Sequence, residues 1–564
     1  MGSEMCIRDR ARCLYSPAYY HDMATRDVQQ MSVSIYPLPN NAAIPDLQTG
    51  LQMLSLLSLA NPQKAESEIN QFLDSLLQSP PQAEVYLNLL EELREPLCFV
   101  EEELARHYIN KPLPLDEIEE GCFRQVTATW LKMTKAYAHC TRLDSAAIDA
   151  AHLLRRALTL QRSISYGGLA IVEHQRARRE LAPGMWLDLH GYYAAAEKWG
   201  VVTLPVPDAL DPLGRSTNCS ASFLSVLLSE LAGPYSLSIC DQNLVRRWAS
   251  NWAHLVSLHP ALPGEPLPQF VIDLTQDVGM RLTSECLQTE NLRRLDTSRL
   301  ATQLSQIRQK LRHKIPPAQI GLGEDCSSGQ CRRLLEHLSR PWSQARATRK
   351  FRRRSTSGIA KLCIGFDAMY YYISGKELTP ENVRTYSRLE FESLFAFRHM
   401  VDPTQELAVR QELLGFTVDQ WEVVNQSPNG FRLMRSTAGK KMAHGQLLAI
   451  CPNEGERFLL AQTTWLMQEQ RGGLIAGVAA LAGIPQAVAA RPLGQGSVHN
   501  ERYSRAFLLP AVPSVGTDQS LVIPQGWYRA GRMLEINAEK PWRMKLIHVL
   551  DEGPDFERVS FVVA

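Results

Sequence analysis

Six of the nine residues from Arg346 to Arg354 are basic, and Arg349 and Arg353 form an Arg-x-x-x-Arg pair with Arg354 beside it. A guanidinium is a planar fork of donors that grips a phosphate through two parallel hydrogen bonds. It reads the N7/O6 edge of a guanine in the same way and can stack on a base. A second stretch, Asn425-Gln426-Ser427-Pro428-Asn429-Gly430, has the form Asn-x-Ser-x-x-Gly. Short polar side chains at a tight connection exchange hydrogen bonds close to the backbone. Glycine there permits a backbone conformation, or a close approach, that a Cβ would hinder. Each stretch also has a plainer reading. The basic run suits a solvated linker or a patch contacting an anion or RNA, and Asn429-Gly430 alone signals an ordinary hairpin turn.

The elements that must position these residues are strands. Alternation and turn residues predict strands over Ile359–Phe366, Trp421–Val424, Gly430–Met434, Gln446–Cys451, Phe458–Trp465 and Gly473–Leu481. Between the first two, residues 367 to about 415 read as helical. The last seventy or so residues alternate again, over Leu521–Ile523, Trp527–Ile536, Met544–Leu550 and Phe556–Val563, as a small β module.

Upstream, residues from about 44 to 315 carry amphipathic helical stripes: Ile69, Phe72, Leu73, Leu76 and Leu77; Phe123, Val126, Trp130, Met133 and Tyr137; Trp186, Leu189, Tyr193 and Ala196. Such 3.6-residue periodicity means helices that bury one face against neighbours. The segment shows no fixed repeat period. One short strand is expected at Phe270–Leu274, and helix again from about 290 to 314 and around Arg332–Leu338.

Composition bounds the function. A chain of 564 residues exceeds one core and implies several domains. Sixty basic against 59 acidic residues argue against a surface built wholly for nucleic acid or anionic membrane. Twelve cysteines without Cys-x-x-Cys read as reduced cytosolic thiols, and Cys326 and Cys331 are the closest pair. No apolar run reaches the ~18–20 residues of a membrane span. Walker, Gly-x-Ser-x-Gly and His-Glu-x-x-His motifs are all missing, and His139, His190, His254 and His444 stand singly, as structural histidines. The expectation is a protein that is not an enzyme. Met5-Cys6-Ile7-Arg8-Asp9-Arg10 resembles a translated sequencing adapter, so residues 1–43 are expected to be artefactual or disordered.

The two motifs, in this order and with these strands, resemble the PilZ domain family, the bacterial receptors for cyclic di-GMP. The resemblance covers about residues 346–366 and 419–485, including Gly445 before the Gln446–Ile450 run and the later Gly477-Val478. It implies an antiparallel β-barrel that binds cyclic di-GMP through Arg349, Arg353, Asn425, Ser427 and Gly430, with Arg354 as a helper. It also implies that residues 367–418 are a helical insertion between motifs that usually lie close in sequence.

The expected architecture is therefore α+β and multidomain. A helical domain at 44–345, with a division near 260–268, precedes a PilZ-like barrel at 346–490 and a small C-terminal β module at 491–564. The expected function is a cytoplasmic cyclic di-GMP effector that signals to a protein partner through its helical domain, without a cofactor or metal. As in the family generally, this would serve motility, adhesion or biofilm control. The alternative from the same residues is a helical scaffold whose barrel has lost the nucleotide. A third reading, an RNA-associated protein using the basic run, is not preferred.

Overall fold

Asp116 and Glu119 show how local sequence sets the helices of this chain. Each side chain accepts the other's backbone N–H at 2.9 Å, a reciprocal cap that starts a 27-residue helix. The computed structural model describes residues 44, 46–144, 149–211, 214–262, 267–286, 289–344, 354–376, 378, 416–436, 439–452, 455–493, 503–537 and 541–564. Residues 1–43, expected to be artefactual or disordered, lie outside them, and so does most of the expected insertion.

The chain divides into two compact units at positions 348/349. The first holds helices α1 (Leu47–Ser55), α2 (Pro62–Gln78), α3 (Ala83–Ala105), α4 (Glu117–Leu143), α5 (Ala150–Arg176), α6 (Met185–Lys198), α7 (Cys219–Leu231) and α8 (Ile239–Trp252). The expected stripes are the buried ones: Phe123, Val126, Trp130, Met133 and Tyr137 line the inner face of α4. At the centre α5 also buries polar groups, which are paired as burial demands. Arg162 grips Glu91 at 2.9 and 3.0 Å, Arg176 holds Glu102 and Glu173, and Tyr108 donates to Glu173 at 2.6 Å.

The helical unit also carries an antiparallel sheet, β1 (Ser257–Pro260), β2 (Phe270–Asp273), β3 (Arg281–Leu282) and β4 (Leu292–Asp296), in the order β1-β4-β2-β3. The helix expected from about 290 therefore begins only at Ser298, as α9 (Ser298–Arg312). Leu292 and Leu295 are both buried, and the segment between them pairs with β1 on one side and β2 on the other. That sheet pairing outweighs a helical stripe. Helix α10 (Ser328–Ser339) follows, capped by Ser327.

The second unit comprises Pro112–Pro114 and the chain from 349 onward, and Leu113 pairs with Met442 through two backbone hydrogen bonds. Its first sheet contains β5 (Arg354–Ser355), β6 (Ile359–Ile364), β7 (Asp419–Ser427), β8 (Gly430–Arg435), β9 (Leu447–Cys451), β10 (Leu459–Gln468) and β11 (Leu474–Ala480). The order β5-β7-β6-β9-β10-β11-β8 closes because β8 pairs back onto β7. Strands β5 and β6 share one edge of β7 in succession, so the closed wall is six strands around. Helix α11 (Phe366–Ser374) follows β6.

Strands β12 (Gln486–Pro492), β13 (Ser504–Leu509), β14 (Ser520–Pro524), β15 (Met533–Asn537), β16 (Trp542–Glu552) and β17 (Phe556–Val563) form a second closed barrel, in the order β12-β13-β14-β17-β16-β15. Strand β12 spans position 490, so the boundary expected there falls inside a strand whose partners, β13 and β15, both belong to the second barrel. The strand expected from Trp527 begins only at Met533. Gly526 and Gly531 take positive φ and Arg532 donates to the Trp527 carbonyl, which makes that stretch a turn. The barrels share a core: Cys363, Leu447, Ala449 and Leu460 of the first meet Phe507, Leu509, Val522 and Phe556 of the second, beside Ala368 and Met369 of α11. The Leu447 N–H donates to Asp555 at 3.0 Å across the same junction.

Candidate functional site

The Asn-x-Ser-x-x-Gly motif forms the end of a hairpin. Trp421 and Val423 alternate into the interior of β7, which ends at Ser427 opposite Gly430 of β8. The connection is therefore Pro428-Asn429, not Asn429-Gly430. Asn429 has no positive φ, and neither has Gly430, so the left-handed turn that an Asn-Gly pair usually signals is not formed. Gly430 is required for space. A Cβ on it would lie 2.7 Å from the Val478 carbonyl oxygen of β11. The polar side chains tie the corner together. Ser427 Oγ lies 3.0 Å from Asn429 Oδ1 and 3.3 Å from the Gly430 carbonyl, while the Asn429 carbonyl accepts the Ala480 N–H at 3.0 Å.

Inside β7 the register slips by one residue at Val424, because Val423 opposes Leu433 but Asn425 opposes Arg432. Such a bulge bends the strand and re-aims the residues after it. Asn425 follows it directly. Its Oδ1 is buried without a hydrogen-bond partner among the described residues, an acceptor left open where burial normally demands a donor.

The other edge of this end of β7 is occupied by the last residue of the basic run and the one after it. Arg354 pairs with Gln426 and Ser355 with Asn425, on strands about 4.8 Å apart. Directly opposed residues share a face, so Ser355 lies with Asn425 and, by alternation, with Ser427. Arg354 shares the alternate face with Gln426. Arg354 and Ser355 are both exposed. Arg349 and Arg353 lie outside the described residues. Ser355 and the bulge at Val424 carry no local sequence signal; only the pairing register reveals them.

The wall behind the motif is held by buried arginines and indoles. Arg435 pairs with Asp419 at 2.5 Å and lies over the Trp421 ring at 4.8 Å. Burial pushes its guanidinium pKa down, and Asp419 opposes the shift. A second bulge, at Thr464, sets Trp465 against Gly477 so closely that a Cβ on the glycine would collide with the indole. This explains the late glycine noted in the sequence. Among the described residues no group of three or more metal-ligating side chains occurs, and no helix is long and apolar enough to cross a membrane. Among the described residues the corner thus offers an unfilled buried acceptor and the hydroxyls of Ser427 and exposed Ser355, the latter on the strand that continues in sequence from the run of arginines. The set suits an anionic ligand that also carries hydrogen-bond donors.

Three family models match the chain in sequence. The N-terminal domain of the cyclic-di-GMP receptor FimW matches residues 48–263, its middle PilZ domain residues 269–387, and its C-terminal β-barrel domain residues 488–564. The chain belongs to the PilZ family, as a member with an N-terminal helical domain and a second, C-terminal barrel. A curated relative is the cyclic-di-GMP receptor FimW of Pseudomonas aeruginosa, 25% identical over 532 residues that cover 86% of this chain and 85% of the relative. The middle-domain match takes in Arg349, Arg353 and Arg354 and ends before Asn425.

Proposed function

We propose that this protein is a cyclic di-GMP effector, held in the bacterial cytoplasm, that senses the nucleotide and does not process it. The nucleotide is held between Arg349 and Arg353 of the arginine run, with Arg354 as a helper, and the hairpin end carrying Asn425, Ser427 and Gly430. The observation that carries the reading is the pairing of Arg354-Ser355 with Asn425-Gln426, which joins the downstream end of the basic run to the motif strand across the intervening sequence. The similarity to a cyclic-di-GMP receptor along nearly the whole chain supports the ligand.

The arginines supply charge-assisted forks for the two phosphates and guanine edges, and Asn425 Oδ1 gains the donor it lacks, such as a guanine N–H. Ser355 adds a hydroxyl on the same face as Asn425. Arg354, on the alternate face, contributes field more than direct contact. The helical unit engages a protein partner, and the nucleotide changes that engagement only as far as it binds one arrangement of the protein better than the other.

Titration calorimetry with cyclic di-GMP tests the reading. Wild-type protein gives a saturable heat and Arg353→Ala loses at least ten-fold in affinity. Absence of heat from folded wild-type protein at tens of micromolar would refute it and leave a helical scaffold with an unused barrel.

A further inference from the structure

The helical unit contains a cavity of about 680 Å³, within the usual range for a binding pocket. Its walls come from α5, α7 and α8, with Asp208, Asp211 and residues 215–218 also in the lining. Residues one or two turns apart on each helix reach it: Gln161 and Ser165 on α5, Ser222, Ser225 and Ser229 on α7, Asn243 and Ser250 on α8. The floor is apolar where Gly168 lets α5 approach Val226 so closely that any side chain there would clash.

Three arginines line the cavity, and they differ in commitment. Arg215 is held by Asp211 at 2.7 Å and by Asn251 at 3.0 Å. Arg247 is held by Asp325 at 2.7 Å and by the Leu322 carbonyl at 2.9 Å. Arg246 is partly buried and has no hydrogen-bond or ion-pair partner among the described residues. Its charge is disfavoured first by burial and then by the nearby Arg176, while Glu173 and Glu102 compensate only in part, so an anion bound directly on Arg246 would offset the remaining cost. The acids at the rim are not free to serve. Asp208 is taken by Arg94 at 2.6 Å, and Asp211 by Arg215.

We infer that this cavity binds an acidic peptide segment of a partner protein, with an Asp or Glu carboxylate of the peptide on Arg246. The uncharged hydroxyls and amides, repeated along three helices at intervals of one or two turns, suit the alternating donors and acceptors of an extended backbone. A nucleotide fits less well, because among the described lining residues His254 is the single aromatic side chain, a small platform for a base. The inference supplies the chemistry of the protein partner in the effector role proposed above. It rests on that role for its purpose, while its geometry belongs to the helical unit alone.

The test uses the full chain and positional pools of degenerate octapeptides, each with one position fixed as Glu, Asp, Ala or Lys, read by fluorescence polarisation. Glu- and Asp-fixed pools should bind best. Arg246→Ala should weaken them about ten-fold or more with an unchanged melting temperature, and Arg246→Glu should move the preference to Lys-fixed pools. Equal binding of all pools, no binding of any, or indifference to both variants would overturn the inference. So would displacement of the acidic pools by millimolar inorganic phosphate or adenosine monophosphate together with direct binding of either, which would make the cavity a small-anion site. Calorimetry with cyclic di-GMP on the same samples separates the two claims. Peptide binding without nucleotide heat defeats the effector role alone, and nucleotide heat without peptide binding defeats this inference alone.

Discussion

Replacing Gly430 by alanine gives the sharpest account of why the motif ends in glycine. The added Cβ would sit 2.7 Å from the Val478 carbonyl oxygen, against the 3.4 Å that nine in ten real Cβ contacts exceed. Strands β8 and β11 must then part by about 0.7 Å, the difference between those distances. The neighbouring bond from the Ala480 N–H to the Asn429 carbonyl, now 3.0 Å, would stretch beyond useful range. Overpacking costs about 1–3 kcal/mol and a lost backbone bond about 1 kcal/mol. For a unit of this size a loss of about 2–4 kcal/mol lowers the melting temperature by roughly 4–16 °C. Differential scanning calorimetry of the full chain reads the shift in the transition of the barrel unit, and cyclic di-GMP affinity should fall with it. Gly430→Asn should be as damaging as alanine, because the obstacle is space and not a left-handed backbone. A melting temperature within about 1 °C of wild type for Gly430→Ala, or rescue by asparagine, would refute the reasoning.

Three further outcomes follow from the buried groups. His190 is fully buried, and burial holds its pKa down to about 4, while in the unfolded chain it titrates near 6.5. The unfolded chain therefore takes up a proton first as pH falls. Stability is full above pH 6.5 and drops by up to about 3 kcal/mol as the pH approaches 4; denaturant melts of His190→Gln should show a flatter slope across that window. The Cys331 thiol is pushed up to about 12 by burial and by its contact with Cys326 2.9 Å away. Iodoacetamide at pH 7.5 should label exposed Cys240 well before Cys331, by peptide mass mapping, and early labelling of Cys331 in folded protein would contradict that environment. Glu101 is buried with both carboxylate oxygens unpartnered among the described residues, and burial beside Glu66 and Glu173 raises its pKa well above normal. Folding must therefore protonate it, so stability falls as pH rises above the normal carboxylate range. Glu101→Gln should raise the melting temperature more at pH 8 than at pH 5.

The helices were legible because their evidence is local. The stripes from Phe123 to Tyr137 and from Trp186 to Ala196 are the faces that are buried. The small sheet β1–β4 was mostly hidden, since strands of two to five residues carry little periodicity and β4 exists through its partners on both sides. The strands of the first barrel could be read from alternation, but its closure depends on distant pairings such as β6 with β9 and β8 with β11. Asn429-Gly430 shows how a strong local signal misleads. The turn sits one residue earlier, and the glycine answers to Val478, nearly fifty positions away. The bulges at Val424 and Thr464, the place of Ser355 opposite Asn425 and the unpaired Arg246 exist only in three dimensions.

In the proposed complex, cyclic di-GMP sits between the arginine run and the Asn425–Ser427 face of the first barrel. Hydrogen–deuterium exchange of the full chain, with and without saturating nucleotide, locates it most directly. Peptides spanning 346–356 and 421–430 should exchange more slowly with nucleotide bound, and that protection should be lost in Arg353→Ala at the same nucleotide concentration. Nucleotide that binds by calorimetry yet leaves both segments unprotected would contradict the account and move the site elsewhere.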